Sequence, residues 1–499
     1  MRHKTNILRA TRIALSTLFF AVVTLLFLGV GWQFNMWFAW VAKVQFLPAL
    51  MALDFAVLAI LVVLTLIFGR LYCSVICPLG VMQDIFGWFG RKQKKNRYCY
   101  SSEKRWLRYS VLAVFIVCLV VGFAPVTTLL APYSAYGRIV NSIFRPLYDL
   151  LQNALALIDT HFEWYLIPEA ELWLRSVTTL LVALLTLVIL GVLAWRNGRS
   201  YCNTICPVGT ILSFFARFSL FRIQVDESKC NKCSLCEKNC RAAAIDSKSG
   251  EVDLSRCIAC GDCIDKCNHK AISYKPVFGT TKNKSEELPT SKSKRAMLTG
   301  ALLAVGTSAM SQAKIKVDGG LAEIEDKKVP HRDTPLTPPG SVSARNMQKH
   351  CTACQLCVSA CPNNVLRPST DPSRFMQPEM SFERGFCRPE CTRCSQVCPT
   401  AAIRAIDKED KTAIRIGRAV WIEANCIPVA KGDRCGICAR SCDAKAIMMV
   451  DYTTSDGRKV KVPTIDAERC IGCGECEYIC PARPLSAIYV EGYTTHHKD

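Results

Sequence analysis

Histidine is scarce in this chain, seven in 499 residues, and none lies within a long apolar run. No CxxCH occurs either, so haem b between helices and haem c are both disfavoured. No Gly-rich nucleotide loop, no Ser/His/Asp set and no paired general acid and base stands out. Acidic residues are also short: 41 Asp and Glu face 62 Lys and Arg, for a formal charge of +21. The basic excess gathers beside apolar segments, as at Arg91, Lys92, Lys94, Lys95 and Arg97. That placement suits the cytoplasmic loops of a membrane protein. No nucleic-acid motif accompanies it, so no nucleic-acid partner is expected.

Half of the residues are hydrophobic, and four runs with few or no charges are long enough for the roughly 20 residues that a bilayer needs: 13–32, 49–68, 109–131 and 176–195. The stretch 70–108 carries nine Lys or Arg, whereas 132–174 has two Arg against five acids. By the positive-inside rule the N-terminus, the 70–108 loop and the chain just after 195 are cytoplasmic. Asp54, inside the second run, is either a proton or quinone contact or a helix-end residue facing water. The N-terminus is basic and precedes an apolar run with no obvious cleavage site, which reads as a retained helix.

Two segments repeat. GRLYCSVICPLG at 69–80 and GRSYCNTICPVG at 198–209 share eight of twelve positions. Each puts a Cys-x-x-x-Cys-Pro at the cytoplasmic end of a span. Cysteines four apart share a helix face, so Cys73 with Cys77 could meet Cys202 with Cys206. Such a group would bind metal or cycle as disulfides, unless the motifs are only structural turns.

The other signal is cysteine itself: 24 of 30 fall into six four-cysteine runs. A short secreted chain would suggest disulfides, but repeated CxxCxxCxxxC spacing in a long chain points to [4Fe-4S] ligation. Three thiolates from one tight loop wrap a corner of the cube, and the fourth cysteine of the run crosses to the partner cluster. One cluster is therefore expected on Cys230, Cys233, Cys236 and Cys267, and another on Cys257, Cys260, Cys263 and Cys240. Four more runs follow: Cys351, Cys354, Cys357, Cys361; Cys387, Cys391, Cys394, Cys398; Cys426, Cys435, Cys438, Cys442; and Cys470, Cys473, Cys476, Cys480. Their crossing could run first with fourth and second with third, or between neighbours. Pro follows the last cysteine in three runs, but Arg241, Asn268 and Asp443 stand there in the others. Ile245, Ile272, Ile447 and Ile488 are expected as core that shields the clusters. Cys118 reads as a small apolar residue and Cys99 as a loop residue without a partner nearby in sequence.

The expected fold class is a multidomain membrane protein, with an α-helical four-span membrane domain, a candidate fifth span, and α+β bacterial ferredoxin-like 4Fe-4S domains. Its divisions are a membrane domain with two CxxxCP repeats over 1–225, a two-cluster ferredoxin domain over 226–275, a basic linker over 276–295, a fifth span or export-signal-like segment over 296–313, and a four-cluster domain over 314–499.

Residues 1 to about 275, through GRLYCSVICPLG, GRSYCNTICPVG and the ferredoxin block, resemble the H-type membrane subunit of the periplasmic nitrate reductase quinol dehydrogenase. The nitrous-oxide reductase maturation flavoprotein shares that core, although no flavin domain is evident here. From about 291, the export-like SKRAML and LTPPGSVSARNMQKHCTACQLCVSACP are similar to the G-type ferredoxin subunit and to methylamine-utilisation ferredoxins. The resemblance implies a fusion of two subunits in the bacterial inner membrane. It also implies oxidation of quinol from the quinone pool, and electron transfer through six [4Fe-4S] clusters to an unidentified redox partner. The N-terminus and first ferredoxin domain would be cytoplasmic and the C-terminal domain periplasmic. The alternative is an accessory or maturation protein that supplies electrons for assembly or reactivation of a metalloenzyme.

Overall fold

The protein is described by a computed structural model covering residues 7–92, 98–163, 168–170, 172–276 and 325–498. The 296–313 segment, and the expected linker beyond Pro276, lie outside the described residues.

The N-terminal half is helical: α1 Ile7–Leu28, α2 Trp32–Lys43, α3 Phe46–Met51, α4 Phe55–Phe68, α5 Pro78–Lys92, α6 Arg105–Val121, α7 Ala124–Leu130, α8 Pro132–Ile139, α9 Arg145–His161, α10 Val177–Asn197, α11 Ser200–Thr204 and α12 Pro207–Ala216. Among the described residues α1 and α10 are long and apolar enough to cross a membrane, and α4 and α12 are shorter apolar helices. The other two expected runs are each split. In 49–68 the chain turns between α3 and α4 through Leu53 at φ 56. Asp54 then caps α4, its carboxylate accepting from the Val57 N–H at 3.2 Å. Of the two readings of Asp54, the helix-end one is therefore the one seen. In 109–131 α6 stops at Gly122, which is left-handed at φ 82, and Pro125 sits in the first turn of α7. Along α10 the residues Leu181, Leu185, Val188 and Val192 point outward as one exposed apolar stripe.

Two cysteine-rich lobes sit at opposite ends of α1. The first is closed by the antiparallel pair β1 Phe221–Val225 and β2 Ile272–Pro276. It meets the start of α1 through Arg9, whose guanidinium lies 3.2 Å from Asp262 and 2.5 Å from Asp265. The second lobe, 325–498, carries β3 Leu366–Pro368 with β4 Pro378–Met380, β5 Ile414–Trp421 with β8 Ile488–Lys498, and β6 Ile447–Thr453 with β7 Lys459–Ile465, all antiparallel. Ile245, Ile272, Ile447 and Ile488 are all buried, as the patterning predicts. The second lobe docks at the far end of α1, where Arg145 donates to the Ser359 carbonyl at 2.8 Å and Asn141 to the Gln355 side-chain oxygen at 3.1 Å. At 1.5 Å per residue, α1 separates the lobes by about 33 Å.

Gly137 in α8 makes this docking close: a Cβ there would lie 2.4 Å from the Cys354 carbonyl and 2.6 Å from the Phe27 ring. Gly137→Ala is expected to cost about 1–3 kcal/mol of docking energy. Limited proteolysis of the detergent-solubilised chain should then release the 325–498 lobe faster than from the parent protein. An unchanged rate would mean that this contact does not hold the lobe.

Candidate cluster seats and a four-cysteine junction

In the four regular runs the residues on either side of the second cysteine are left-handed: Lys232 and Ser234, Ala259 and Gly261, Ala353 and Gln355, Gly472 and Gly474. Alternating handedness turns successive N–H groups inward and makes a concave, anion-favouring nest. A short helix then carries the third cysteine, as in Leu235–Asn239 and Glu475–Ile479. Five of the six fourth cysteines, Cys240, Cys267, Cys398, Cys442 and Cys480, are held by a backbone N–H further on, for example Ala271 to the Cys267 sulfur at 3.3 Å and Ala446 to the Cys442 sulfur at 3.3 Å. The second tail run, which opens as CxxxC, lacks the left-handed pair; there the Lys411 ammonium donates to the Cys387 sulfur at 3.3 Å.

The crossing expected in the first block is present. Cys230, Cys233, Cys236 and Cys267 line one cavity, and Cys240 neighbours Cys257, Cys260 and Cys263. In the tail the structure selects the neighbour arrangement. Cys361 lines a cavity with Cys387, Cys391 and Cys394, while Cys398 neighbours Cys351, Cys354 and Cys357. Cys480 approaches Cys426 and Cys438, which neighbour Cys435, and Cys442 approaches Cys470, which neighbours Cys473 and Cys476. Burial pushes the thiols of Cys257, Cys354 and Cys473 up to about 12. Left as free thiols they are protonated; a coordinating metal centre deprotonates them outright. Among the described residues no three or more such donors stand at the spacing of a single metal ion; cysteines gathered in fours beside nest N–H groups are the donor chemistry that an iron–sulfur cube takes.

Cys73, Cys77, Cys202 and Cys206 are brought together, each at most 5% exposed. The repeated residues around them each have a physical reason. Gly69 and Gly198 reverse the chain at φ 75 and 63. Arg70 and Arg199 then cross: Arg70 donates to the Cys202 carbonyl at 3.2 Å, and Arg199 to the Cys73 carbonyl. Pro78 and Pro207 open the next helices. Cβ atoms on Gly80 and Gly209 would lie 2.5 Å from the Cys73 and 2.3 Å from the Cys202 carbonyls. The Gly209 N–H reaches the Cys206 sulfur at 3.4 Å, and Gln83 reaches the Cys202 sulfur at 3.3 Å. The first repeat forms a π-helical turn, Tyr72–Ile76, where the second forms α11. On the side toward the tail lobe, buried Arg138 lies between Tyr201 and Cys354. Cys99 is exposed, and Cys118 is partly buried and lines a small cavity with Cys351 of the tail lobe.

A charge cluster beneath this junction escapes sequence reading. Asp84 accepts from Arg199 at 2.8 and 2.7 Å and lies 2.9 Å from Arg241 and 3.3 Å from Arg12. Arg241 also holds Asp262 at 2.6 Å. The one available signal is Arg241 itself, which replaces the proline expected after Cys240. Burial alone would raise the Asp84 carboxyl, but Arg199, Arg241 and Arg12 more than offset it and hold it well below the usual carboxylate range. The stability it contributes is therefore present above that range and lost as pH falls well below it. Asp84→Asn leaves buried guanidiniums uncompensated and is expected to cost about 3–5 kcal/mol. Thermal unfolding in detergent at pH 7 should show it; an unchanged midpoint would mean that the arginines are neutralised elsewhere.

Comparison with known proteins agrees with these motifs. The 4Fe-4S binding domain family matches residues 50–96 and 178–225, which include both CxxxCP repeats. Two 4Fe-4S dicluster domain families match 350–418 with 432–483, and 253–365. The chain is 31% identical to the ferredoxin-type protein NapG of Escherichia coli over 180 residues, 32% of this chain and 75% of NapG. It is 32% identical to the methylamine utilization ferredoxin-type protein MauM of Methylobacillus flagellatus over 152 residues, 30% of this chain and 64% of MauM. To the ferredoxin-type protein NapF of Escherichia coli it is 28% identical over 163 residues, 32% of this chain and 87% of NapF. No solved structure matches. Covering three quarters of NapG and carrying repeated 4Fe-4S motifs, the chain belongs to the ferredoxin-type iron–sulfur electron-transfer proteins that include NapG.

Proposed function

We propose that this chain is a membrane-bound electron carrier with six [4Fe-4S] clusters, oxidising quinol and delivering electrons to a periplasmic redox partner. The observation that carries this reading is the placement of two cysteine-rich lobes at the two ends of α1, one held by Arg9 and the other by Arg145. The separation of about 33 Å is close to the hydrocarbon thickness of a bilayer, about 30 Å. The exposed apolar stripe of α10 suits lipid better than water. By the positive-inside rule the first lobe is cytoplasmic and the second periplasmic. Pro276 and the start of the 325–498 lobe then belong to opposite sides of the membrane. Such a chain combines the H-type and G-type subunits in one polypeptide.

The ligands are the six crossed quartets described above. The clusters supply one-electron carriage; the chain supplies the thiolates, the N–H groups that stabilise their charge, and the apolar cover. Cys73, Cys77, Cys202 and Cys206, between the lobes, serve as a further redox or metal station.

Iron and acid-labile sulfide should approach about 24 of each per chain if all six seats fill. Appreciable zinc, or about 8 irons, would overturn the tail assignment. The crossing gives a sharper readout. Cys357→Ser with Cys398→Ser strikes one seat and should remove about four irons, whereas Cys357→Ser with Cys361→Ser strikes two and should remove about eight. The reverse order would mean that each run holds its own cluster. Quinol added to membranes should bleach the cluster absorbance; clusters that stay oxidised would favour the maturation role.

A further inference from the structure

A cavity of about 260 Å³ lies where α1, α2, α9 and the start of α10 meet the tail lobe. Three residues that line it are at most 3% exposed and each has a polar atom without a hydrogen-bond partner among the described residues: Asn35 Oδ1, Thr179 Oγ1 and Gln355 Nε2. Buried polar atoms are normally satisfied, so three orphans on residues that line one cavity are unusual; as the side chains stand each atom is sealed from water, and a turn of the side chain would present it to the cavity. Trp32 and Trp173 supply aromatic walls. Around the cavity, Leu147, Leu150 and Leu151 of α9 and Trp37 and Trp40 of α2 are exposed, as on a surface that meets the lipid interface. The cavity shares Cys361, Pro362 and Arg393 with the void lined by Cys387, Cys391 and Cys394.

We infer that this cavity is the quinol-oxidising site, on the outer side, with Asn35, Thr179 and Gln355 binding the ring oxygens and Asp149 accepting the protons. This rests on the function proposed above and gives it a location. The volume admits a substituted ring but falls below the roughly 300 Å³ at which pockets begin to enclose a whole drug-sized ligand, so the isoprenoid tail lies outside along α9 and α2. Once these side chains turn toward the cavity, a quinol hydroxyl can donate to Asn35 Oδ1, and a ring oxygen can accept from Gln355 Nε2 or the Thr179 hydroxyl.

Oxidation breaks two O–H bonds and yields quinone, two electrons and two protons. Cys361, Cys387, Cys391 and Cys394 would hold the nearest oxidised [4Fe-4S] cluster, which would supply one-electron acceptance, with the redox partner as the final oxidant. The protons go to Asp149 and from there to water on the outer side. Asp149 lies 4.0 Å from Arg145 on its own helix and is also faced by Arg175. Burial raises its carboxyl above the ordinary value, while the two guanidiniums pull the other way. A carboxylate raised in this way is a better base than an exposed one.

The test uses the full chain in detergent with 2-heptyl-4-hydroxyquinoline N-oxide, a quinol analogue whose fluorescence is quenched on binding. Asn35→Leu and the near-isosteric Thr179→Val should each weaken quenching about tenfold, the value of one neutral hydrogen bond, with iron content unchanged. Asp149→Asn should leave analogue binding within about twofold, an effect well under one hydrogen bond, and slow quinol-dependent bleaching of the clusters. If both binding variants bind the analogue as the parent does while quinol still bleaches the clusters, quinol oxidation stands and this location is wrong. If the parent neither binds the analogue nor is bleached by quinol, the location falls together with the function.

Discussion

The Asp84 carboxylate ties together parts of the chain that are otherwise remote from one another. Arg12 comes from α1, Arg199 from the second repeat and Arg241 from the first cysteine block. Three buried cations around one anion are costly in any other arrangement, so the helices and the block are held in one register. The consequences spread outward. The Arg199 N–H donates to the Arg241 carbonyl at 2.7 Å, and a Cβ on Gly198 would press to 2.3 Å from that same carbonyl. The four-cysteine junction and the nearest cluster seats are thereby built on one shared scaffold.

Around that anchor the two CxxxCP segments form an approximate two-fold pair, each arginine bracing the other's first cysteine. The symmetry is broken in charge. Arg199 is neutralised by Asp84, whereas Arg70 is satisfied by the Asn203 side chain at 2.7 Å and the Ser255 carbonyl at 3.1 Å. The two flanks therefore differ, one holding a cluster of arginines and carboxylates and the other an arginine satisfied by neutral groups. A redox centre held there would experience an unequal field, which affects its potential.

Spacing made the cysteine seats legible in the sequence, because a CxxCxxC loop has few ways to wrap and its fourth cysteine must go elsewhere. It did not choose the partner in the tail, since both arrangements satisfy the same spacing; packing of the short helices Leu356–Ala360 and Arg393–Val397 decides that. Hydropathy located the apolar helices but not their breaks. Asp54 and Gly122 end helices by capping and by left-handed geometry, effects that a window average dilutes. Apart from Arg241 in the place of the expected proline, the Asp84 cluster left no trace, because its members lie far apart in sequence and the others read as ordinary loop charges. The polar cavity was invisible for the same reason: Asn35, Thr179 and Gln355 acquire meaning only when three distant segments converge.

Pairing between neighbouring runs has a bearing on how the tail comes to exist at all. Had the first run crossed with the fourth, neither seat could close until 351 and 480 were both available. Instead 351–398 closes one pair of seats and 426–480 another, so the ligand sets are short-range and their closure entropy modest. During synthesis the N-terminal pair can be filled while the second is still emerging. Each pair of seats is then complete in itself, and a chain stalled after residue 398 already presents every cysteine of its first pair.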